Sequence, residues 1–220
     1  MNIQLTSRSF GHLMSRLTGL CLAVAITGAV FAVPARAAEG TPASFMQALA
    51  TDALAVLSDE TLDQNSRSRA FRQILRSRFD LPTISRFVLG RYWGRADAEE
   101  QEEFVQLFED YLVAVYGRRL GHYVNHGLQF TGQRLSGANG DIEGAVVHSR
   151  IDLGNGPGVK LDWRLIRHED GWQVIDILVE GVSLAMAQRS EFASVIRGGG
   201  GRVSGLLGKL RKKTQMLAMN

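Results

Sequence analysis

Cysteine is almost missing from this chain: 220 residues hold one, Cys21. It falls in an N-terminal stretch with the marks of a removable leader. A mature chain without it has no disulfide, no thiolate metal site and no cysteine nucleophile. Long apolar runs are equally rare. The longest, Leu17 to Val33, is at the lower limit for crossing a bilayer and is weakened by Gly19, Thr27 and Gly28. Arg8 and Arg16 precede it and Ala35-Arg36-Ala37 follows as an A-x-A cleavage site, so residues 1–37 read as a secretory signal rather than an anchor. Leu20 is not the small residue that a lipoprotein cleavage site before Cys21 would carry.

Net charge is also missing once the leader is set aside. Arg8, Arg16 and Arg36 leave with it, so 22 basic residues face 22 acidic ones. A chain-wide nucleic-acid footprint is thereby excluded. The charge is unevenly placed, however. No acid follows Glu191, whereas Arg197, Arg202, Lys209, Arg211, Lys212 and Lys213 lie beyond it, leaving Ala38 to Ile196 at net −6.

Catalytic motifs are absent too. There is no G-x-S-x-G elbow, and the glycine-rich stretches at 154–158 and 198–201 lack the lysine and serine of a phosphate loop. His122 and His126 have metal-ligand spacing, but Gly127 ends their segment and no glutamate completes an H-E-x-x-H pattern, so no metal is expected. The remaining histidines of the mature chain are His148 and His168. Asp176 sits among Val174, Ile175, Ile177 and Leu178 and admits two readings. Burial could raise its pKa and make it the general base of an isomerase or dehydratase on a cone-like α+β fold. Alternatively it is a structural carboxylate bound to an arginine or backbone amide. The second reading is favoured because no acid–base partner is identifiable beside it.

What is present is a helical first half and a strand-like second half, the pattern of an α+β domain. Thr41-Pro42 starts a helix through Phe45, Leu49 and Val56. Asn65 or Ser66 starts a second, carrying Phe71, Ile74, Leu75 and Phe79 and stopping at Leu81-Pro82. A short third carries Ile84, Phe87 and Val88. Asp97 to Glu100 is a capping box for the longest helix, to about Tyr123, whose Phe104, Leu107, Phe108, Tyr111, Leu112, Val115, Tyr116 and Leu120 cover too wide an arc for one buried side. Four antiparallel strands follow at hairpin spacing, over 128–135, 141–153, 159–166 and 172–179. In the last, Ile175, Ile177 and Val179 are expected on one face and Trp172, Val174 and Leu178 on the other. Gly181 breaks that strand and Ser183 caps a C-terminal helix. The expected domains are a signal at 1–37, a domain at 38–197, and a glycine-rich break with a basic amphipathic tail at 198–220 that is either a solvated end or a docking segment.

Three stretches resemble the MlaC or toluene-tolerance family of periplasmic lipid-binding proteins. The first is Phe79-Asp-Leu-Pro-Thr-Ile-Ser-Arg-Phe-Val-Leu-Gly90 with Tyr92-Trp93. The second is Glu102-Glu-Phe104, Leu107-Phe108 and Tyr111 to Tyr116. The third runs from Gly171 to Leu184 and on through Gln188 to Phe192, with Gln188 standing where the family often has an aromatic before its arginine. The resemblance implies helices packed on a twisted four-stranded sheet with an apolar cavity between them. It implies a periplasmic carrier, not an enzyme, that holds phospholipid or a related polycyclic lipid without a cofactor. It would act as a monomer that serves an inner-membrane ABC transporter complex and an outer-membrane lipoprotein–porin complex. By face, the expected lining is Phe71, Leu75, Phe87, Val88, Phe108, Leu112 and Val115 from helices, and Val147, Ile151, Leu161, Trp163, Ile177 and Val179 from the sheet.

Overall fold

The helices begin where short polar side chains can take up orphan backbone N–H groups, each such cap stabilising a helix by about 1 kcal/mol. Thr41 accepts from Ser44 N at the start of α1 (Pro42–Ser58), with Pro42 in the first turn. Asp63 accepts from Ser66 N for α2 (Gln64–Arg78), so this helix starts just before the Asn65 or Ser66 expected from sequence. Asp80 caps α3 (Leu81–Leu89), and Pro82 lies in its first turn. Pro82 therefore opens α3 rather than ending α2. The earlier helix stops at Arg78 because Phe79 is already extended and bridges Val174. A 3₁₀ turn, Gly90–Arg95, leads to α4 (Ala98–Tyr116), capped by Asp97 through Glu100 N at 2.8 Å.

A computed structural model describes residues 40–117, 128–137, 143–152 and 158–218. The leader at 1–37 with Cys21, the histidines 122 and 126, and the end of the longest helix as read from sequence lie outside these residues.

The sheet is an antiparallel meander in sequential order: β1 (Leu128–Ser136), β2 (Gly144–Ile151), β3 (Val159–His168), β4 (Gly171–Val179) and a two-residue β5 (Val182–Ser183). The α+β class is as expected, with β5 added to the four strands. Its register corrects one face assignment. Leu161 pairs with Val179 and Trp163 with Ile177, but Leu165 pairs with Val174 because Ile175 is an extra residue in a bulge. A bulge shifts alternation by one. Trp172 and Val174 therefore share the face of Ile177 and Val179 instead of opposing it. Ala145, Val147, Ser149 and Ile151 of β2, and Phe130 of β1, complete this face.

Two hairpins of helix pack on it and beside it. Phe45, Met46 and Leu49 of α1 and Ile74 of α2 bury Ala145, Val147, Leu165, Trp172 and Val174. A second cluster unites Val88, Leu89, Tyr92, Phe104 and Phe108 with Phe192 and Ile196 of α5 (Leu184–Gly198) and Val203, Leu206, Leu207 and Leu210 of α6 (Val203–Ala218). Phe104 and Phe108 stack at 5.8 Å, and Phe192 meets both edge-on. A third joins Phe71, Leu75, Leu81 and Val113. The long helix α4 is thus packed on two sides, which accounts for its wide apolar arc.

The boundary expected at 197/198 is not a boundary. Leu206 and Leu207 are 1 % exposed, and the Arg211 guanidinium forks onto the Glu103 carboxylate of α4. The glycine run is a turn: Gly199 and Gly201 donate back to the last carbonyls of α5, and Gly200 and Gly201 take φ of 80°, which suits a residue without Cβ. Residues 203–218 are a helix of the domain rather than a detached tail.

Candidate functional site

The apolar sheet face is closed at one end and half-open at the other. Under α1 and α2, Ala145, Val147, Leu165 and Val174 are 3 % exposed or less. Towards the opposite strand ends, Leu128, Phe130, Ile151, Val159, Ile177 and Val179 are only partly covered. All of these share one face through the register Leu128–Ile151–Val159 and Leu161–Val179. Trp163 lies between the two zones. Its indole N–H donates to Ser149 Oγ at 2.9 Å, and the Ser149 hydroxyl donates to the Leu161 carbonyl. This chain of donors satisfies the polar atoms beneath the face and fixes the indole, so the surface presented is hydrocarbon.

The thirteen residues expected to line a cavity separate into groups. Phe71, Leu75, Val88, Phe108 and Val147 are buried within the three clusters and pack against protein. Phe87 is 39 % exposed on the outer side of α3, with the Arg189 guanidinium 5.2 Å above its ring. Helical spacing placed it one position off the buried stripe of Leu81, Ser85, Val88 and Leu89. Leu112, Val115, Ile151, Trp163, Ile177 and Val179 are half-buried, and Leu161 sits among the sheet residues at 8 % exposure. Sequence reasoning missed Phe130 and Val159. Their signal was cross-strand register, opposite Ser149 and Ile151.

Asp176 is a structural pin. One carboxylate oxygen accepts from Ile177 N at 2.9 Å and Ala185 N at 3.1 Å, the other from the Ser183 hydroxyl at 2.7 Å, and Arg164 lies 3.7 Å away. The side chain therefore ties β4 to the first turn of α5 across the corner made by Glu180 and Gly181, both at positive φ.

Two histidines of the interior strands β2 and β3 pair with carboxylates. His148 Nδ1 meets Asp162 at 2.7 Å, and His168 Nε2 meets Asp80 at 3.1 Å. Burial pushes the Asp80 carboxyl up, but bonds from Thr83 and His168 outweigh it and hold the group below the ordinary carboxylate value. Asp162 is lowered the same way: burial opposes, while His148 and Lys160 prevail. Each carboxylate serves a cap or an ion pair, and among the described residues no cluster of three His, Cys, Asp or Glu could hold a metal. An open depression of about 410 Å³ lies at Ser77, His168, Glu169, Asp170, Gly171, Trp172 and Gln173. Its rim is mostly polar, unlike the half-open sheet face.

Residues 47–212 match the model of the family described as MlaC protein. The chain belongs to that family. Toluene tolerance protein ttg2D of Pseudomonas putida is 24 % identical over 187 residues, 81 % of this chain and 85 % of that protein. A solved phospholipid-binding protein from Ralstonia solanacearum, in complex with a phospholipid, superposes with a TM-score of 0.68 at 27 % identity, covering 80 % of this chain and 97 % of that one. The stretches that carried the resemblance meet in space: Gly90 at φ 58° lies so close to Arg189 that a Cβ there would sit 2.7 Å from its guanidinium.

Proposed function

We propose that this MlaC-family protein is a periplasmic phospholipid carrier. It takes acyl chains against the half-open sheet face and shuttles lipid between an outer-membrane complex and an inner-membrane ABC transporter, so maintaining outer-membrane lipid asymmetry. The observation that carries the reading is the half-open apolar end of the face, in a fold whose relative holds a phospholipid. The lining narrows to Leu112, Val115, Phe130, Ile151, Val159, Leu161, Trp163, Ile177 and Val179.

Physics supports such a site. Each buried methylene contributes about 0.8 kcal/mol, so two acyl chains are held by covered hydrocarbon alone, with no cofactor and no precise polar constellation. A carrier needs no reacting group. The enzyme alternative rests on Asp176, whose two oxygens are already taken by Ile177, Ser183 and Ala185.

Transfer of fluorescent phospholipid between donor and acceptor vesicles tests the shuttling. The expected result is a rate that rises with protein concentration and with no change in the lipid's covalent structure. No acceleration, or conversion of the lipid to product, would contradict it.

A further inference from the structure

Four arginines of the helices are matched with carboxylates. Arg72 and Arg76 converge on buried Glu109, Arg78 on Asp52 and Arg211 on Glu103. One group is not. Arg91 donates to the Tyr92 hydroxyl at 3.0 Å with its guanidinium 5.0 Å from the ring, and Arg95 lies 5.5 Å from the same ring. Arg197, in the last turn of α5, adds its charge to the same phenol. The hydrogen bond from Arg91 is the main cause holding that phenol below its ordinary pKa, with Arg197 and Arg95 contributing. None of the three makes an ion pair among the described residues, and all three are exposed while Tyr92 is buried.

Two of the acids nearest in sequence are otherwise engaged. Asp97 caps α4 through Glu100 N, and Glu191 accepts from Gln188. Arg202 and, on α6, Lys209, Lys212 and Lys213 are exposed as well, and no acid occurs after Glu191. Arg197 lies near the far end of the fifteen-residue α5 from the Asp176 corner, roughly 20 Å away at helical rise, so this surface is distinct from the proposed lipid face.

We propose that the surface of Arg91, Arg95 and Arg197, extended by α6, docks the protein on the anionic headgroups of a phospholipid bilayer. Guanidinium forks suit phosphate oxygens. The display is broad and basic and carries no exposed aromatic anchor among its members, whereas the core of a protein–protein interface is enriched in aromatics and depleted in lysine. Stacking on the Tyr92 ring keeps two of the guanidiniums near one another despite their repulsion.

The test is flotation of the full chain with vesicles of phosphatidylcholine alone, and with vesicles in which about a third of the lipid is phosphatidylglycerol. Salt is set at about 10 mM and about 1 M, where the Debye length falls from about 30 Å to about 3 Å. Binding is expected to the anionic vesicles only, and only at low salt. Arg95→Gln should weaken it roughly fivefold and Arg91→Gln/Arg95→Gln/Arg197→Gln about a hundredfold. Arg69→Gln on α2 should change it little. If the triple variant does not fold, Arg95→Gln alone decides. Val179→Glu should still bind the vesicles, which separates this docking from lipid carriage. Equal binding to neutral vesicles, unchanged affinity in the folded arginine variants, or binding to soluble polyglutamate but not to anionic vesicles would overturn the proposal.

Discussion

Asp176 illustrates how a residue that looks catalytic in sequence can be explained by its bonds. A carboxylate in an apolar strand invites a base, yet its acceptor sites are filled by two amides and a hydroxyl that join β4 to α5. Asp176→Asn can keep only part of this set, because an amide has one acceptor oxygen. Its expected cost is about 1–3 kcal/mol, read by chemical denaturation, with lipid content unchanged in the folded fraction. A fully stable variant that has lost a measurable reaction would contradict the structural role. Asp80 makes a second prediction. Its folded pKa lies below the unfolded value of about 3.9. The stability it contributes is therefore fully present above about pH 4 and is lost as pH falls through the lower, folded value. Asp80→Asn should flatten the acid limb of the stability–pH profile, an outcome checked by urea titrations across that range.

At the scale of elements, caps and periodicity were legible and tertiary context was not. Thr41, Asp97 and Ser183 act as the caps their sequence positions suggest. Pro82 was misread because a proline suits both the stop of one helix and the first turn of the next, and only the Phe79–Val174 bridge decides between them. The face of β4 was misread because a bulge leaves no mark in the local pattern of Val and Ile. The glycines at 198–201 read as a break before a tail, since sequence does not reveal that Val203, Leu206, Leu207 and Leu210 meet the ring cluster of α4 and α5. Truncation after Arg197 is thus expected to unfold the domain rather than free it of a tail. Each lost side chain removes about 1.5–3 kcal/mol of burial, and together they rival the whole stability margin of a domain. Leu206→Ala is the milder probe, with an expected cost of about 2–5 kcal/mol in denaturant titration. A truncated chain that melts like the full one would contradict this packing.

Across the whole molecule, the α+β class followed from the order of patterns, and family membership from three short motifs whose Leu89, Phe104 and Phe192 meet in one cluster. The lining was legible only in part. Apolar residues that fill a core and those that line an opening obey the same periodicity, so Phe71, Leu75 and Val147 could not be told from Ile151 or Val179 without burial. The functional account rests on that distinction, and bound lipid is its most direct measure. Native mass spectrometry and lipid extraction should be carried out on the protein purified from cells, beside Val179→Glu and Ile151→Glu. About one phospholipid per chain is expected in the unaltered protein, with most of it lost in both folded variants, because a carboxylate at either site sets an unpaired charge against acyl chain. A protein that carries no phospholipid, or folded variants that retain it in full, would contradict the account.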